Sequence, residues 1–491
     1  MKLQPTGVDY YAVLPELSTA AGACVLLLVR AVSKRASDNA RAWITFGIGS
    51  FFAAGAILAA LAAGTRFAGK NLAPAFSGVV ARDMYAVVAK GLIGLLAVVS
   101  LAVGCAGLRH DRALREEYGA LVLLASTGMM AMVGSLDLVT MFLGLELFSL
   151  AFYVLTAFLR ERPAPREAAL KYFLLGSFAS AFFLYGVMLI YGAVGSTNLT
   201  VAAAVADRGG FPWLLLAGTS LVLVGLGFKV GAVPFHMWVP DVYQGSPSYL
   251  SGVLAAGAKV GGFGAAVRIF ASLMPARSHW IGPVAVVGVA TMAVGAAGAI
   301  GQLNVKRILA YSSIVHAGYL FLAIGAPTKL GVQAALFYLA SYALLVIGAF
   351  AVVSVFQRSR TDCGTLEDFR GIARERPVLG LAFAVLLLGL AGIPPTSGFF
   401  AKLLVFQAAL EQGLVLFALC GAVASVIAAY FYIRLLLTIY ATPADSTDPE
   451  IDRRAKVQPA LAVGIALAVA ATAVLGVFPE ILISIASKAS F

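Results

Sequence analysis

The run Leu221-Val-Leu-Val-Gly-Leu-Gly-Phe-Lys-Val-Gly-Ala-Val-Pro-Phe-His236 is apolar, rich in glycine and interrupted by one charge, Lys229. A second run repeats the pattern: Gly389-Leu-Ala-Gly-Ile-Pro-Pro-Thr-Ser-Gly-Phe-Phe-Ala-Lys402. A charge at membrane depth costs about 3 kcal/mol or more, so it is seldom retained without a function. Two apolar segments broken by Gly and Pro in corresponding halves of a chain point to an ion or substrate site. The two runs therefore predict an all-α, polytopic membrane protein that moves ions.

Composition agrees. The chain has 491 residues, 61% hydrophobic and 12% charged, against about 45–50% and about 25% in soluble domains. A crossing helix needs roughly 20 apolar residues. About 14 such stretches are expected, centred near residues 20, 53, 96, 126, 148, 182, 223, 262, 290, 317, 344, 390, 427 and 470. The segments lack the ten-residue alternation of a membrane barrel. The expected organisation is three helices in 1–112, a five-helix unit in 113–277, a second five-helix unit in 278–441 and a final helix in 442–491, with two discontinuous helices.

The net charge of +12 is read as cationic loops obeying the positive-inside rule, not as a nucleic-acid surface. With the N-terminus outside, the inner loops hold 20 Lys and Arg, including Arg358, Arg360, Arg370, Arg374 and Arg376, and also Lys306 and Arg307; the outer loops hold eight. Both termini are thus expected outside. Glu16 interrupts the first apolar stretch, which argues against a cleavable signal. Cys24, Cys105, Cys363 and Cys420 lack CxxC spacing and read as packing residues, without a metal site or disulfide framework. No Walker sequence is present. Gly225-Leu-Gly-Phe-Lys-Val-Gly231 is mid-helix and lacks the strand-turn-helix setting of a dinucleotide fingerprint.

Seven basic residues fall in apolar stretches: Lys90, Lys171, Lys229, Lys259, Arg268, Lys402 and Arg434. Lys90 and Arg268 stand near helix ends and are expected to snorkel to the surface. Lys171, one turn into its helix, is open to either snorkelling or function. The clearest buried acid is Glu146, in Met141-Phe-Leu-Gly-Leu-Glu146; Asp137 belongs near the start of that helix. His236 ends the first broken run. His316 fits either a packing role or a relay. His110 and His279 sit in loops and carry no assigned role.

The polar groups repeat. Glu146 to His316 is 170 residues, Lys229 to Lys402 is 173, and Lys259 to Arg434 is 175. Arg434 departs chemically, because a guanidinium does not give up its proton in proteins. Burial disfavours the charged form of a side chain and a nearby opposite charge favours it. A lysine whose carboxylate partner approaches or withdraws therefore takes up or releases a proton. Backbone carbonyls freed at a helix break need polar partners or water, which suits a proton path.

At these residues the chain resembles the antiporter-like membrane subunits of respiratory complex I, the proton-pumping NADH:quinone oxidoreductase. The resemblance spans nearly the whole chain. Its most specific piece is Pro234-Phe-His-Met-Trp-Val-Pro-Asp-Val-Tyr-Gln-Gly-Ser-Pro247, whose second half looks like the subunit N branch. Arg307-Ile-Leu-Ala-Tyr-Ser-Ser-Ile-Val-His-Ala-Gly-Tyr319 and the run ending at Lys402 are similar to that branch too. The longer subunit L carries an extra lateral helix, and subunit M commonly has glutamate at the position of Lys402.

The resemblance implies that Glu146 pairs with Lys229, that Lys259 is a connecting residue, and that Lys402 is a terminal proton carrier. It places His316 on a hydrated central axis and gives Lys171 a relay position; His236 and Arg434 remain weaker candidates. It implies no cofactor on this chain: NADH, FMN, iron–sulfur clusters and quinone belong to the parent complex. It implies neighbours among the membrane subunits, subunit M and small subunits included, together with membrane lipid and no nucleic acid. The implied location is the bacterial cytoplasmic membrane. A subunit of a cation/proton antiporter or membrane-bound hydrogenase is the nearest alternative, and a scaffold without transport a third. Na⁺ prefers oxygen-rich sites, so a lysine-dominated path favours H⁺.

Overall fold

A computed structural model describes residues 7–32, 38–70, 72–107, 115–159, 161–207, 213–356, 364–442 and 457–489. Several residues counted above lie outside them: Lys2, Lys34, Arg35, Arg109, His110, Arg112, Arg160, Arg208, Arg358, Arg360, Cys363, Arg453, Arg454 and Lys456.

The described residues form nineteen α-helices and no extended sheet. An N-terminal group contains α1 (Gly7–Val32), α2 (Asp38–Phe67) and α3 (Met84–Gly107). Next come α4 (Arg115–Gly134), α5 (Leu138–Thr156), α6 (Pro163–Val194), a short α7 (Leu199–Asp207), α8 (Trp213–Val230), α9 (Trp238–Gly245) and α10 (Ser248–Ser272). Then follow α11 (Arg277–Ile300), α12 (Val305–Gly325), α13 (Lys329–Phe356), a short α14 (Ile372–Glu375), α15 (Pro377–Ala391), α16 (Ser397–Glu411) and α17 (Val415–Tyr440). The chain ends in α18 (Pro459–Val477) and α19 (Glu480–Ser487).

Thirteen of these helices are long and apolar enough to cross a membrane. The fourteenth crossing is split: α15 is too short alone and continues after a break as α16. The other discontinuous helix is α8, resumed as α9. The centre is made by α10, α12 and α13. The most apolar window of α10 is wholly buried, and those of α12 and α13 are 94% buried. At the edge the burial drops to about a third in α1, α6 and α18. Phe51 of α2, Phe178 of α6, and Leu416 and Val426 of α17 all face outward. Exposed apolar surface on this scale belongs in lipid or against other membrane subunits.

Two five-helix units follow the N-terminal group: α4, α5, α6, α8–α9 and α10, then α11, α12, α13, α15–α16 and α17. Five crossings are an odd number, so the second unit runs inverted relative to the first. Local features fix the register between them. Asp137 caps α5 by accepting from Thr140 N, and Asn304 caps α12 by accepting from Arg307 N. Each cap residue forms an isolated bridge, Asp137 with Asn198 and Asn304 with Thr365, and both members are displaced by 167 residues (304 less 137, 365 less 198). The starts of α10 and α17, Ser248 and Val415, are again 167 apart. The helix breaks are displaced by 161: Gly231 and Gly392 both adopt left-handed φ, 72° and 80°. A side chain there is disfavoured, which is why each break carries glycine.

Within a unit, helices meet through small residues. A Cβ on Gly186 of α6 would lie 2.6 Å from Gly218 O of α8, and one on Gly218 would lie 2.7 Å from Gly186 O. Such contact lets two backbones pack where lipid supplies no hydrophobic drive.

Candidate functional site

The first break opens three backbone groups, and side chains take them up. Trp238 Nε1 donates to Phe228 O at 2.8 Å. Val233 N donates to Thr291 Oγ1 at 2.9 Å. Lys259, fully buried on α10, donates its ammonium to Val230 O. Val230 is the last residue before the left-handed Gly231. In the second break Thr396 Oγ1 donates to Ile393 O at 2.7 Å. Lys402 Nζ donates to Ala391 O at 2.6 Å and to Ser425 Oγ at 2.9 Å. Ala391 is the last residue before the left-handed Gly392.

Val230 and Ala391 are thus 161 residues apart, the same displacement as the two glycines. In each unit one buried ammonium sits on the terminal carbonyl of the first half-helix. That carbonyl end carries partial negative charge and attracts a cation. The structural counterparts are therefore Lys259 and Lys402, although they come from different helices.

This corrects the equivalences read from residue spacing. Lys229 ends α8 before its break, whereas Lys402 lies in α16 after its break. At the 167-residue register Arg434 falls beside Arg268, not Lys259, and His316 falls three residues beyond Glu146. Counting charges alone registers side chains, not the backbone that repeats.

Lys229 has a different setting from the other two lysines. Its ammonium lies 4.5 Å from the centre of the Phe148 ring and 5.0 Å from those of Tyr153 and Tyr172. It is buried and has no protein hydrogen-bond partner. Desolvated cation–π contact is worth about 2 kcal/mol, so the rings hold the charge in part. No ion pair joins Lys229 to Glu146, and Glu146 Oε1 is buried without a hydrogen-bond partner. The implied Glu146–Lys229 pair is thus not a contact in this structure. Trp238 stacks on Tyr172 at 4.4 Å, which ties the cage to the far side of the break.

His316 sits in a hydroxyl web. Its Nδ1 lies 2.6 Å from Tyr338 OH and its Nε2 3.1 Å from Tyr432 OH. Tyr432 OH bonds Ser312 Oγ, and Tyr342 OH donates to Ser313 Oγ at 2.9 Å. Ser341 Oγ donates to Ser397 Oγ at 2.7 Å, reaching the start of α16. The Tyr319 ring lies 5.0 Å from Lys402 Nζ. Hydroxyls both donate and accept, so the chain Tyr338–His316–Tyr432–Ser312 is able to pass a proton by exchanging roles, with Tyr342–Ser313 and Ser341–Ser397 as further hydroxyl pairs. The sequence reading missed these Tyr and Ser residues. Their signal was the spacing of Ser312, His316 and Tyr319, three or four apart on one helix face.

The remaining candidates lie elsewhere. Lys171 is half exposed on α6 and pairs with Glu167 at 2.8 Å and Asp241 at 3.2 Å. Asp241 also takes Arg307 Nη1 at 2.9 Å. His236 is half-buried at the first break, with Nδ1 unpartnered. Arg434 is half-buried and donates to Ile300 O at 2.8 Å. It is nine residues beyond Ser425, about 14 Å along α17.

Three placements differ from expectation. Lys90 does not snorkel: it is buried, pairs with Glu16 at 2.6 Å and donates to Ala12 O at 2.6 Å. Arg268 is fully buried, bonds both oxygens of Asp83 at 2.7 and 3.0 Å, and caps Val133 O at 2.7 Å. Snorkelling fails because each charge meets a carboxylate and a carbonyl closer than the surface. Lys306, counted as a loop charge, is buried in the first turn of α12 and donates to Ser246 O at 2.6 Å. Among the described residues no cluster of His, Cys, Asp and Glu has metal-holding geometry.

Two inverted units, each with a lysine on the carbonyl end of a broken helix, define an antiporter-like membrane subunit. Residues 135–428 match the family described as NADH:quinone oxidoreductase/Mrp antiporter, transmembrane. The NADH-quinone oxidoreductase subunit N 2 of Rhizobium meliloti is 37% identical over 98% of this chain and 97% of its own length. Subunit N of Halorhodospira halophila is 38% identical over 98% of each. A chain of respiratory complex I from Thermus thermophilus superposes with a TM-score of 0.80 at 33% identity, covering 97% of this chain and all of that one. A chain of the Mrp complex from Dietzia sp. shares the fold, with a TM-score of 0.83 at 23% identity. The chain belongs to the NADH-quinone oxidoreductase subunit N family, as a multi-pass membrane subunit of that translocase.

Proposed function

We propose that the chain carries protons across the membrane through Glu146, Lys229, Lys259, His316 and Lys402, driven by quinone reduction elsewhere in its complex. The observation that supports this reading most is the pair of ammonium-to-carbonyl contacts at the two helix breaks, Lys259 on Val230 O and Lys402 on Ala391 O. Lys229 lies one residue before the first of those carbonyls, and Ser341 of α13, three residues from the His316 partner Tyr338, bonds Ser397 at the start of the helix after the second break.

In this reading Glu146 is the mobile counter-charge. Its buried Oε1 has no hydrogen-bond partner, and Lys229 touches ring faces without an ion-pair contact. Movement of the carboxylate toward Lys229 strengthens the ammonium; withdrawal releases its proton. Lys259 and Lys402 then exchange protons against the fixed partial charge of a half-helix. His316, bonded at both nitrogens, carries the proton within the second unit through Tyr and Ser hydroxyls. Lys171, with Asp241 and Arg307, forms the polar mouth at one end of the first unit. His236 and Arg434 take no step.

NADH, FMN, iron–sulfur clusters and quinone are handled by other subunits of the complex. The neighbours are antiporter-like subunit M and small membrane subunits. The location is the bacterial cytoplasmic membrane with both termini outside. The site offers lysines and hydroxyls in place of the oxygen-rich ligand set a metal cation wants, which favours H⁺.

The test separates a carrier from a fixed charge. Lys402→Arg keeps the positive charge and removes the ability to release a proton. Proton pumping per NADH oxidised is measured in inside-out vesicles, with assembly checked on native gels. The expected result is a loss nearly equal to that of Lys402→Ala. Pumping at the native ratio in an assembled Lys402→Arg complex removes Lys402 from the path.

A further inference from the structure

We propose that the cleft between α17 and the 364–371 segment binds the head of an anionic diacylphospholipid. The cleft has a volume of about 550 Å³ and is walled by Tyr430, Ile433 and Leu437 with Arg434 and Arg370 at its polar end. The three wall residues are 54%, 41% and 67% exposed on a helix long enough to cross the membrane. They therefore meet acyl chains or another membrane protein.

Charge selects between those occupants. Arg434 donates one of its five N–H groups to Ile300 O, and a carbonyl does not neutralise a guanidinium. No carboxylate pairs with Arg434 among the described residues. Arg370 donates to Thr442 O at 3.0 Å and to Glu367 Oε1 at 2.9 Å. Among the described residues that line the cleft, two guanidiniums stand against one carboxylate, Glu367. Arg434 stands six residues before the end of α17, about 9 Å along the axis, at the depth where helix meets headgroup. Planar forks at that depth above an apolar wall match a phosphodiester carrying acyl chains, and guanidinium is the group best suited to bind phosphate oxygens in two places. Basic pockets beside membrane helices recognise acidic lipid heads by the same physics. This also gives Arg434 a role that its fixed charge allows and proton carriage does not.

The assembled complex in its native membrane is exposed to photoactivatable phosphatidylglycerol and, separately, to photoactivatable phosphatidylcholine. Labelled peptides are mapped by mass spectrometry, with the Phe178 face of α6 as a lipid-exposed reference. The expected result is preferential phosphatidylglycerol labelling of the Tyr430–Tyr440 peptide. Arg434→Gln lowers it about fivefold relative to the Phe178 peptide, and Arg434→Lys largely retains it. Equal labelling by the two lipids in the native complex overturns the proposal without recourse to a variant. So does a labelled Phe178 peptide with no label on Tyr430–Tyr440, which would mean that a protein neighbour covers the cleft.

Discussion

Asp83 and Arg268 show how a buried charge is fixed in this fold. The guanidinium reaches across from α10, takes both carboxylate oxygens and spends its third contact on Val133 O, at the buried carbonyl end of α4. Tyr85 adds a bond to Gly264 O and places its ring 5.0 Å from the guanidinium. The start of α3 is thereby tied to the helix that carries Lys259. Removing one partner of a buried pair leaves an uncompensated charge and costs about 3–5 kcal/mol, whereas replacing both with apolar groups is often neutral. Asp83→Ala should therefore reduce the assembled complex on native gels and lower its thermal midpoint. Asp83→Ala combined with Arg268→Met should restore most of both. A single variant as stable as the native chain would show that the pair contributes nothing. The aromatic cage of Lys229 works by a weaker principle. Rings stabilise an ammonium without offering it a proton acceptor, so the lysine stays responsive to any carboxylate that approaches.

At the scale of elements, the two helix breaks do most of the positioning. Each ends its first half at a left-handed glycine and offers the preceding carbonyl to a lysine. Gly392 is the more demanding of the two for Lys402, since a Cβ there would lie 2.8 Å from Lys402 Cδ. Left-handed φ also costs an ordinary residue about 1–2 kcal/mol. Gly392→Ala should leave the helices assembled, shift Lys402 off Ala391 O and depress proton pumping more than NADH oxidation with an artificial acceptor. Native coupling in an assembled Gly392→Ala complex would show that the carbonyl contact is dispensable. The breaks were legible in the sequence because Gly and Pro interrupt apolar runs, and the lysines were legible because charge in such runs is expensive. Their partners were not. Whether Lys259 reaches Val230 O depends on how α10 crosses α8, which no local pattern encodes. The Tyr and Ser web around His316 escaped for another reason: a hydroxyl in an apolar helix carries no charge and reads as packing until its neighbour is known. Lys90 and Arg268 were misplaced because distance from a helix end was visible and the facing carboxylates, Glu16 and Asp83, were on other helices.

Among the described residues, thirteen long helices and the split α15–α16 make fourteen candidate crossings. An even number predicts both termini on one side of the membrane, and the loop charges predict which. The Asn304–Thr365 bridge groups the start of α12 with the 364–376 segment, so Arg370, Arg374 and Arg376 share an end with Arg307. The start of α13, at Lys329, lies one crossing away. The positive-inside rule assigns the arginine-rich end to the cytoplasm, because short basic loops resist translocation. Glu375 and Lys329 are both exposed and serve as reporters. In a chain whose natural cysteines are replaced, Glu375→Cys should react with a membrane-impermeant thiol reagent only after the cells are opened. Lys329→Cys should react in intact cells. The reverse pattern would invert the molecule and with it the direction assigned to every proton step. Labelling of both positions in intact cells would instead contradict the single crossing by α12 that separates them, a result that the 21-residue length of that helix, about 32 Å at 1.5 Å per residue, makes the least compatible with its span of the hydrocarbon core.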